Sequence, residues 1–197
     1  MVIDGLRRSF AAVRGDDGAY TLGKEIGNAV EMSFEPGEAK DNPLYANNVI
    51  VESDSSVASA KVTITNDGIS LADLAFLLGV TLDTVTLTGA TTTAIEELMI
   101  DGANPPYMGY GTVVRLQDNG IDKYKAFVVR KIKFSVPKLG GKTQGESKDW
   151  QTQELSGTAY RDDKGSKAGF VKITSELDTE ADAVLYIKNA LGIATGA

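Results

Sequence analysis

The chain contains no cysteine and no histidine in 197 residues. Without cysteine there can be no disulfide frame, no thiolate metal site and no thiol nucleophile. Without histidine the commonest metal ligand and the commonest general base at neutral pH are missing, so any chemistry would rest on carboxylates, lysine or tyrosine. Tryptophan occurs once and proline five times, and no apolar run approaches the eighteen or so residues of a membrane helix. The start, MVIDGLRRSFAAVRG, lacks a signal-peptide core, which predicts a soluble chain with no membrane partner. Positive charge is in deficit: the net charge is −7, which disfavours a protein that holds nucleic acid by neutralising phosphates. What remains is ordinary globular composition, long enough for one domain over 1–197 that buries roughly 70% of its unfolded surface.

Strand alternation dominates the pattern. YKAFVVRKIKFSV, from Tyr124, places Tyr124, Ala126, Val128, Ile132, Phe134 and Val136 on one side, interrupted only by Arg130. Lys125, Lys131 and Lys133 share the other side with Phe127 and Val129, a mixed and partly wet face. Thirteen extended residues would span roughly 43 Å, enough to cross a small domain. The return segment, Trp150 to Arg161, alternates as well, with Glu154, Ser156 and Thr158 opposite Leu155, Gly157 and Ala159. The two form a long-looped hairpin. Its connection, Pro137 to Asp149, is rich in glycine and lysine, and Gly140-Gly141-Lys142-Thr143 lacks the spacing of a phosphate-binding loop.

Phe10 to Arg14 and Ala19 to Leu22 around Gly15-Asp16-Asp17-Gly18 read as an opening hairpin. From Asn28 to Glu35, Val30, Met32 and Phe34 turn to the core and Glu31, Ser33 and Glu35 away from it. Glu38 to Tyr45 reads as a polar loop, followed by a strand from Asn48 to Ser53. In Val57 to Thr65, Val62 and Ile64 alternate with Thr63 and Thr65. Ser70 to Gly79 is a helix with a capping box at Ser70 and Asp73 and an apolar stripe of Leu71, Leu74, Ala75 and Leu78. Thr81 to Thr93 is β-prone, and Ile95 to Ile100 fits either a strand or a short helix. Asp118-Asn119-Gly120 marks a tight turn between two strands, and a closing helix runs from about Thr179 to Leu191 with Val184, Ile187 and Leu191 on one face. The expected fold is mainly β, an antiparallel sandwich or small barrel flanked by helix, with a long hairpin loop and a C-terminal helix.

No catalytic constellation emerges. The acidic turns GDDG, TNDG and RDDKG lack the alternating oxygen ligands and distal glutamate of a calcium loop. Glu96 and Glu97 are sequence neighbours whose side chains diverge, and Trp150, Tyr160 and Tyr124 are explained by cross-strand packing without a sugar platform. Charge is divided along the chain. Glu31 to Asp73 holds eight acidic residues against Lys40 and Lys61, and Lys123 to Lys148 eight basic ones against Glu146. That division fits head-to-tail self-association.

Over nearly its whole length the chain resembles the major tail proteins, the tail tube subunits, of bacteriophages with long, non-contractile tails. The resemblance rests on Gly5-Leu6, Asp17-Gly18 with Tyr20, the segment Ile26 to Pro36, the Tyr45-Ala46-Asn47-Asn48 stretch, the strand and helix Val57 to Gly79, the long-looped hairpin and the closing helix. Asn47 departs from the Tyr-Ala-Asp-Asn pattern, and the Thr-rich Thr81 to Thr93 has no counterpart. The resemblance implies a structural virion protein without enzymatic activity or cofactor, synthesised in the bacterial host cytoplasm. It would form hexameric rings stacked around a tape-measure protein, meet tail terminator and tail-tip proteins, and touch DNA only in transit. Glu31, Ser33, Glu35, Thr63 and Thr65 are then candidates for the lumen face. Lys138, Leu139, Lys142 and Lys148 are candidates for a loop that orders against a neighbouring subunit. A monomeric β-sandwich carbohydrate-binding or adhesion module is the alternative.

Overall fold

In chain order the elements are β1 (Val2–Arg14), β2 (Tyr20–Pro36), β3 (Lys40–Ala46), β4 (Val49–Ser56), β5 (Ser59–Asn66), α1 (Leu71–Leu78), β6 (Asp83–Thr86), β7 (Ala94–Glu97), β8 (Met108–Asp118), β9 (Ile121–Phe134), β10 (Gln153–Tyr160), β11 (Val171–Ile173) and α2 (Glu180–Ala190). The computed structural model describes residues 2–46, 49–89, 91, 94–100, 104–137, 152–164 and 168–195, with backbone alone over 40–56. Six strands in the order β10-β5-β2-β1-β8-β9 close through a β9–β10 pairing into an antiparallel barrel, and α2 lies against its outside. The expected mainly-β fold is therefore a barrel, closed by the long hairpin that the sequence marks. Closure uses only the near end of that hairpin, Ile132–Phe134 against Gly157–Ala159. The remaining edge of β9 takes β11 at Phe127–Val129.

Two apolar layers share the strands β1, β8 and β9. Inside the barrel pack Ile26, Val62, Ile64, Met108, Tyr110 and Leu155, among others. Outside it, Phe10, Ala12, Val113, Ala126 and Val128 receive Ala183, Val184, Ile187 and Leu191 of α2. Helix α2 spans only 11 residues, too short to persist alone in water, so docking holds it. Its docking depends on Gly111, where an added Cβ would stand 2.5 Å from Ile187 Cγ2. At Gly109 a Cβ would stand 2.6 Å from a methyl of Leu191.

Several expectations change. On β9, a bulge separates the Met108↔Ile132 and Tyr110↔Val129 pairs, so Ala126 and Val128 face α2 while Val129, Ile132 and Phe134 face the barrel interior. Val129, expected on a partly wet face, is fully buried because both faces are covered here. On β2, the register slips between Ala29 and Glu31, which turns Val30 out to 53% exposure and buries Ala29 instead. Met32 and Phe34 remain against the core. The segment read as a polar loop contains β3, which pairs with β4 from Lys40↔Ser56 to Ala46↔Val49 as a hairpin of its own. The ambiguous Ile95 region is a strand, β7, paired with β6.

Helix α1 has the expected capping box, Ser70 Oγ accepting from the Asp73 amide, and ends at Gly79 in the left-handed region. Its buried face differs from the stripe read in sequence. Leu77 is fully buried in the barrel core, whereas Leu71 is 40% exposed. Asn119 and Gly120, with φ of 50° and 83°, make the tight β8–β9 turn that the Asn-Gly pair predicts.

Candidate functional site

The five residues expected to share a face do so. Strand β2 pairs with β5 at Glu31↔Thr65, Ser33↔Thr63 and Glu35↔Lys61, and β5 pairs with β10 at Thr65↔Glu154, Thr63↔Ser156 and Lys61↔Thr158. Three rows therefore cross three strands on the outer barrel surface: Glu31-Thr65-Glu154, Ser33-Thr63-Ser156 and Glu35-Lys61-Thr158. The alternate positions Met32, Ile64 and Leu155, and Phe34 and Val62, pack with the interior, which fixes the outward set by the two-residue period of a strand. Glu31, Glu35, Glu154 and Lys61 are exposed, and the hydroxyl residues between them are half-buried. None of the three carboxylates forms an ion pair among the described residues. The patch is polar, acidic on balance and without an apolar anchor.

Sequence reading missed the third strand of this face, Glu154, Ser156 and Thr158. Their alternation is legible, but the adjacency of β10 to β5 joins segments far apart in the chain and leaves no local mark. Lys138, Leu139, Lys142 and Lys148, the candidate inter-subunit loop, lie outside the described residues, as does Trp150.

The charge division is partly resolved within the chain. Lys123 pairs with Asp178, Lys125 with Glu176 at 3.8 Å, and Arg130 with Asp162 at 3.3 Å. Lys131 and Lys133 lie over the ring of Tyr107, 4.3 and 5.9 Å from its centroid. On the acidic side, Asp73 takes Lys24 at 2.6 Å. The basic run on β9 is thus largely answered in the same chain, and the exposed acids of the β2–β5–β10 face are not.

The acidic turns are structural. Asp17 accepts the Ala19 amide, and Asp67 accepts the Asn28 amide and side chain, which holds its pKa below the ordinary range. Asp162 in RDDKG is 2% exposed and receives a two-pronged hydrogen bond from Arg14, at 2.5 and 3.2 Å. Arg130 adds a second guanidinium and also donates to the backbone carbonyls of Asp162 and Lys164. Tyr20 donates to the Arg130 carbonyl at 2.8 Å, and burial, then Asp162, pushes its pKa up. This cluster ties the end of β1 and Arg130 within β9 to the segment after β10. Tyr110 shares a hydrogen bond with Ser9 inside the barrel, and burial pushes it up to about 12. Such a phenol stays protonated at neutral pH.

Among the described residues no group of acidic side chains is arranged to hold a metal ion. Glu96 and Glu97 sit exposed on β7 opposite Thr84 and Asp83. Tyr124 packs with the α2 layer while Tyr160 meets Tyr107 edge-on at 5.7 Å, so these two tyrosines form no common platform. Among the described residues no helix is long and apolar enough to cross a membrane. No protein-family model matches the chain, and no curated protein matches it in sequence.

Proposed function

We propose that the chain is the subunit of a phage tail tube, a structural virion protein that associates as stacked rings, six subunits to a ring in the arrangement its resemblance implies, around a conduit for DNA. The observation that carries this reading is the polar β2–β5–β10 face together with the edge at which it ends. From Ala29 to Pro36, β2 pairs with β5 alone and has no ladder partner on its other side among the described residues. Proteins usually blunt or cover such an edge, because it is a ready template for another chain. Subunits joined along it would carry the acidic face around an axis as a continuous wall. A wall of carboxylates and hydroxyls suits DNA in transit, since a basic surface would hold it.

The role needs surfaces and no reactive group, in keeping with a chain that lacks histidine and cysteine. Its partners on this reading are further copies of itself, a tape-measure protein, a tail terminator and tail-tip proteins, and its place is the virion. Electron microscopy of the purified protein over a range of concentrations, with and without tail-tip initiator complexes, tests the reading. Rings or tubes are expected. Monomers under every condition would overturn it.

A further inference from the structure

Strands β1 and β2 part at Arg8 and Asn28, the last pair of their ladder. Beyond it, among the described residues, Val2 to Leu6 pairs with β8 alone, just as the end of β2 pairs with β5 alone. The parting is built into the backbone. Gly5 has φ +145° and Gly27 φ +99°, conformations that L side chains rarely adopt, and the flanking ladders are irregular at Ile3/Gly5, Leu6/Ser9 and Ala29/Glu31. Between the strands lies an open slot of about 600 Å³ lined by Leu6, Val30, Met32, Phe34, Val114 and Phe127. Asp4 and Glu31 are its charged groups, and Asp4 is already paired with Arg115 at 3.2 Å.

A compact apolar molecule would use the lining and ignore the two strand edges. An extended segment uses both, main-chain groups for hydrogen bonds and the lining for alternate side chains. Two hairpins pair only with themselves among the described residues, β3–β4 with seven ladder pairs and β6–β7 with four, and the longer of them, β3–β4, matches the open stretch of β2 from Ala29 to Pro36. A lone two-stranded ribbon is marginal in water. Its seven ladder pairs give it a reach of roughly 23 Å, ample for the free edges of the slot. Leu44, Tyr45, Val49, Ile50 and Val51 fall toward its turn with Glu52 opposite Leu44, while Lys40, Asp41 and Asp54 stand toward its root. The turn half of the ladder thus brings a mainly apolar stretch to an apolar slot, with Glu52 its one acid and Asp41 and Asp54 nearer the root.

We propose that the slot between β1 and β2 receives the β3–β4 hairpin of a second copy of the chain as an added strand. The inference rests on the ring-forming reading and names one contact of it. Such an insertion pairs with the open β2 edge and so extends the sheet that carries the polar face.

The absence of native cysteine makes a cross-linking test direct. Val30→Cys labels the slot at an exposed side chain, so the fold does not depend on the residue replaced. Ile50→Cys and, separately, Val51→Cys label the hairpin, so that both faces of its strand are sampled. Full-length Val30→Cys chains are mixed with each hairpin variant, assembled and mildly oxidised. Each sample is then examined by non-reducing electrophoresis, by alkylation of the slot thiol and by electron microscopy. A disulfide-linked pair from one mixture, with the slot thiol no longer alkylated in the assembled fraction, is the expected result. Tubes in which the slot thiol is alkylated as readily as in the free chain overturn the use of the slot and leave the tube reading standing. Tubes with the slot thiol protected but no cross-link in either mixture overturn the hairpin as its occupant. Chains that neither assemble nor cross-link overturn both readings.

Discussion

Asp162 is the most deeply buried charged residue described, and it lies beside two guanidinium groups. Burial alone would raise its pKa, but the hydrogen bonds from Arg14 and the Lys164 amide and the charge of Arg130 outweigh that, and the pKa lies below the ordinary aspartate value. A carboxyl depressed in the folded state contributes stability that is present above the unfolded pKa, near 3.9, and is lost as pH falls through the folded pKa. Asp162→Asn leaves Arg14 and Arg130 buried without this counter-charge, at a cost of about 3–5 kcal/mol. Urea unfolding at pH 7 and near pH 3 checks both points. The variant is expected to be much weaker at pH 7 and to lose less than the wild type on acidification. An equal loss in the two proteins would assign the acid sensitivity to other carboxylates. The sequence shows this cluster only as an anomaly, Arg130 interrupting an apolar strand side. Nothing local says that its partner is Asp162, 32 residues away in a turn that resembles ordinary loop chemistry.

At the scale of elements, the docking of α2 is a matter of space. Gly111 has no room for a methyl while Ile187 is present, since the Cβ would meet Ile187 Cγ2 at 2.5 Å. Gly111→Ala is therefore expected to cost about 1–3 kcal/mol by overpacking, and Ile187→Ala about 2–5 kcal/mol by leaving a cavity. In the double variant the new methyl occupies space that Ile187 vacates. Its destabilisation should fall clearly below the sum of the two single changes, as measured by denaturant unfolding. Strict additivity would mean that the helix shifts to relieve the first change and that the contact is not the constraint. The helices, the capping box of α1 and the Asn-Gly turn are legible in sequence because their causes are local. The bulges are not. One extra residue in a ladder moves Val30 to the surface and Val129 to the core, and it is set by pairing with distant strands. Strand β3 is hidden for a different reason: it is polar, contains Pro43 and shows no recognisable apolar face, so alternation gives no signal.

For the whole molecule, the proposed tube role would make passage of DNA depend on a surface repeated around an axis. The chain answers most of its own basic charge on β9 internally, through Asp178, Glu176 and Asp162, and this weakens a simple acid-to-base stacking of copies. It leaves the unpaired carboxylates of the β2–β5–β10 face as the polar surface to account for. If that face lines the bore, its charge sets the ease of passage, because duplex DNA is released by acidic walls and retained by basic ones. Glu31 lines the slot as well as the face, so the sharper probe leaves it in place and changes Glu35 and Glu154. Both are exposed, and reversing Glu35 puts a second ammonium opposite Lys61 at a cost of only ~0.2–1 kcal/mol. Tails assembled from the Glu35→Lys, Glu154→Lys double variant are expected to form tubes of normal appearance yet to eject DNA slowly or incompletely. Raising the salt concentration should relieve the defect, since the added attraction is screened within about a nanometre at physiological ionic strength. A defect that salt does not relieve would point to altered tube geometry, and normal ejection from intact tubes would place this face outside the lumen.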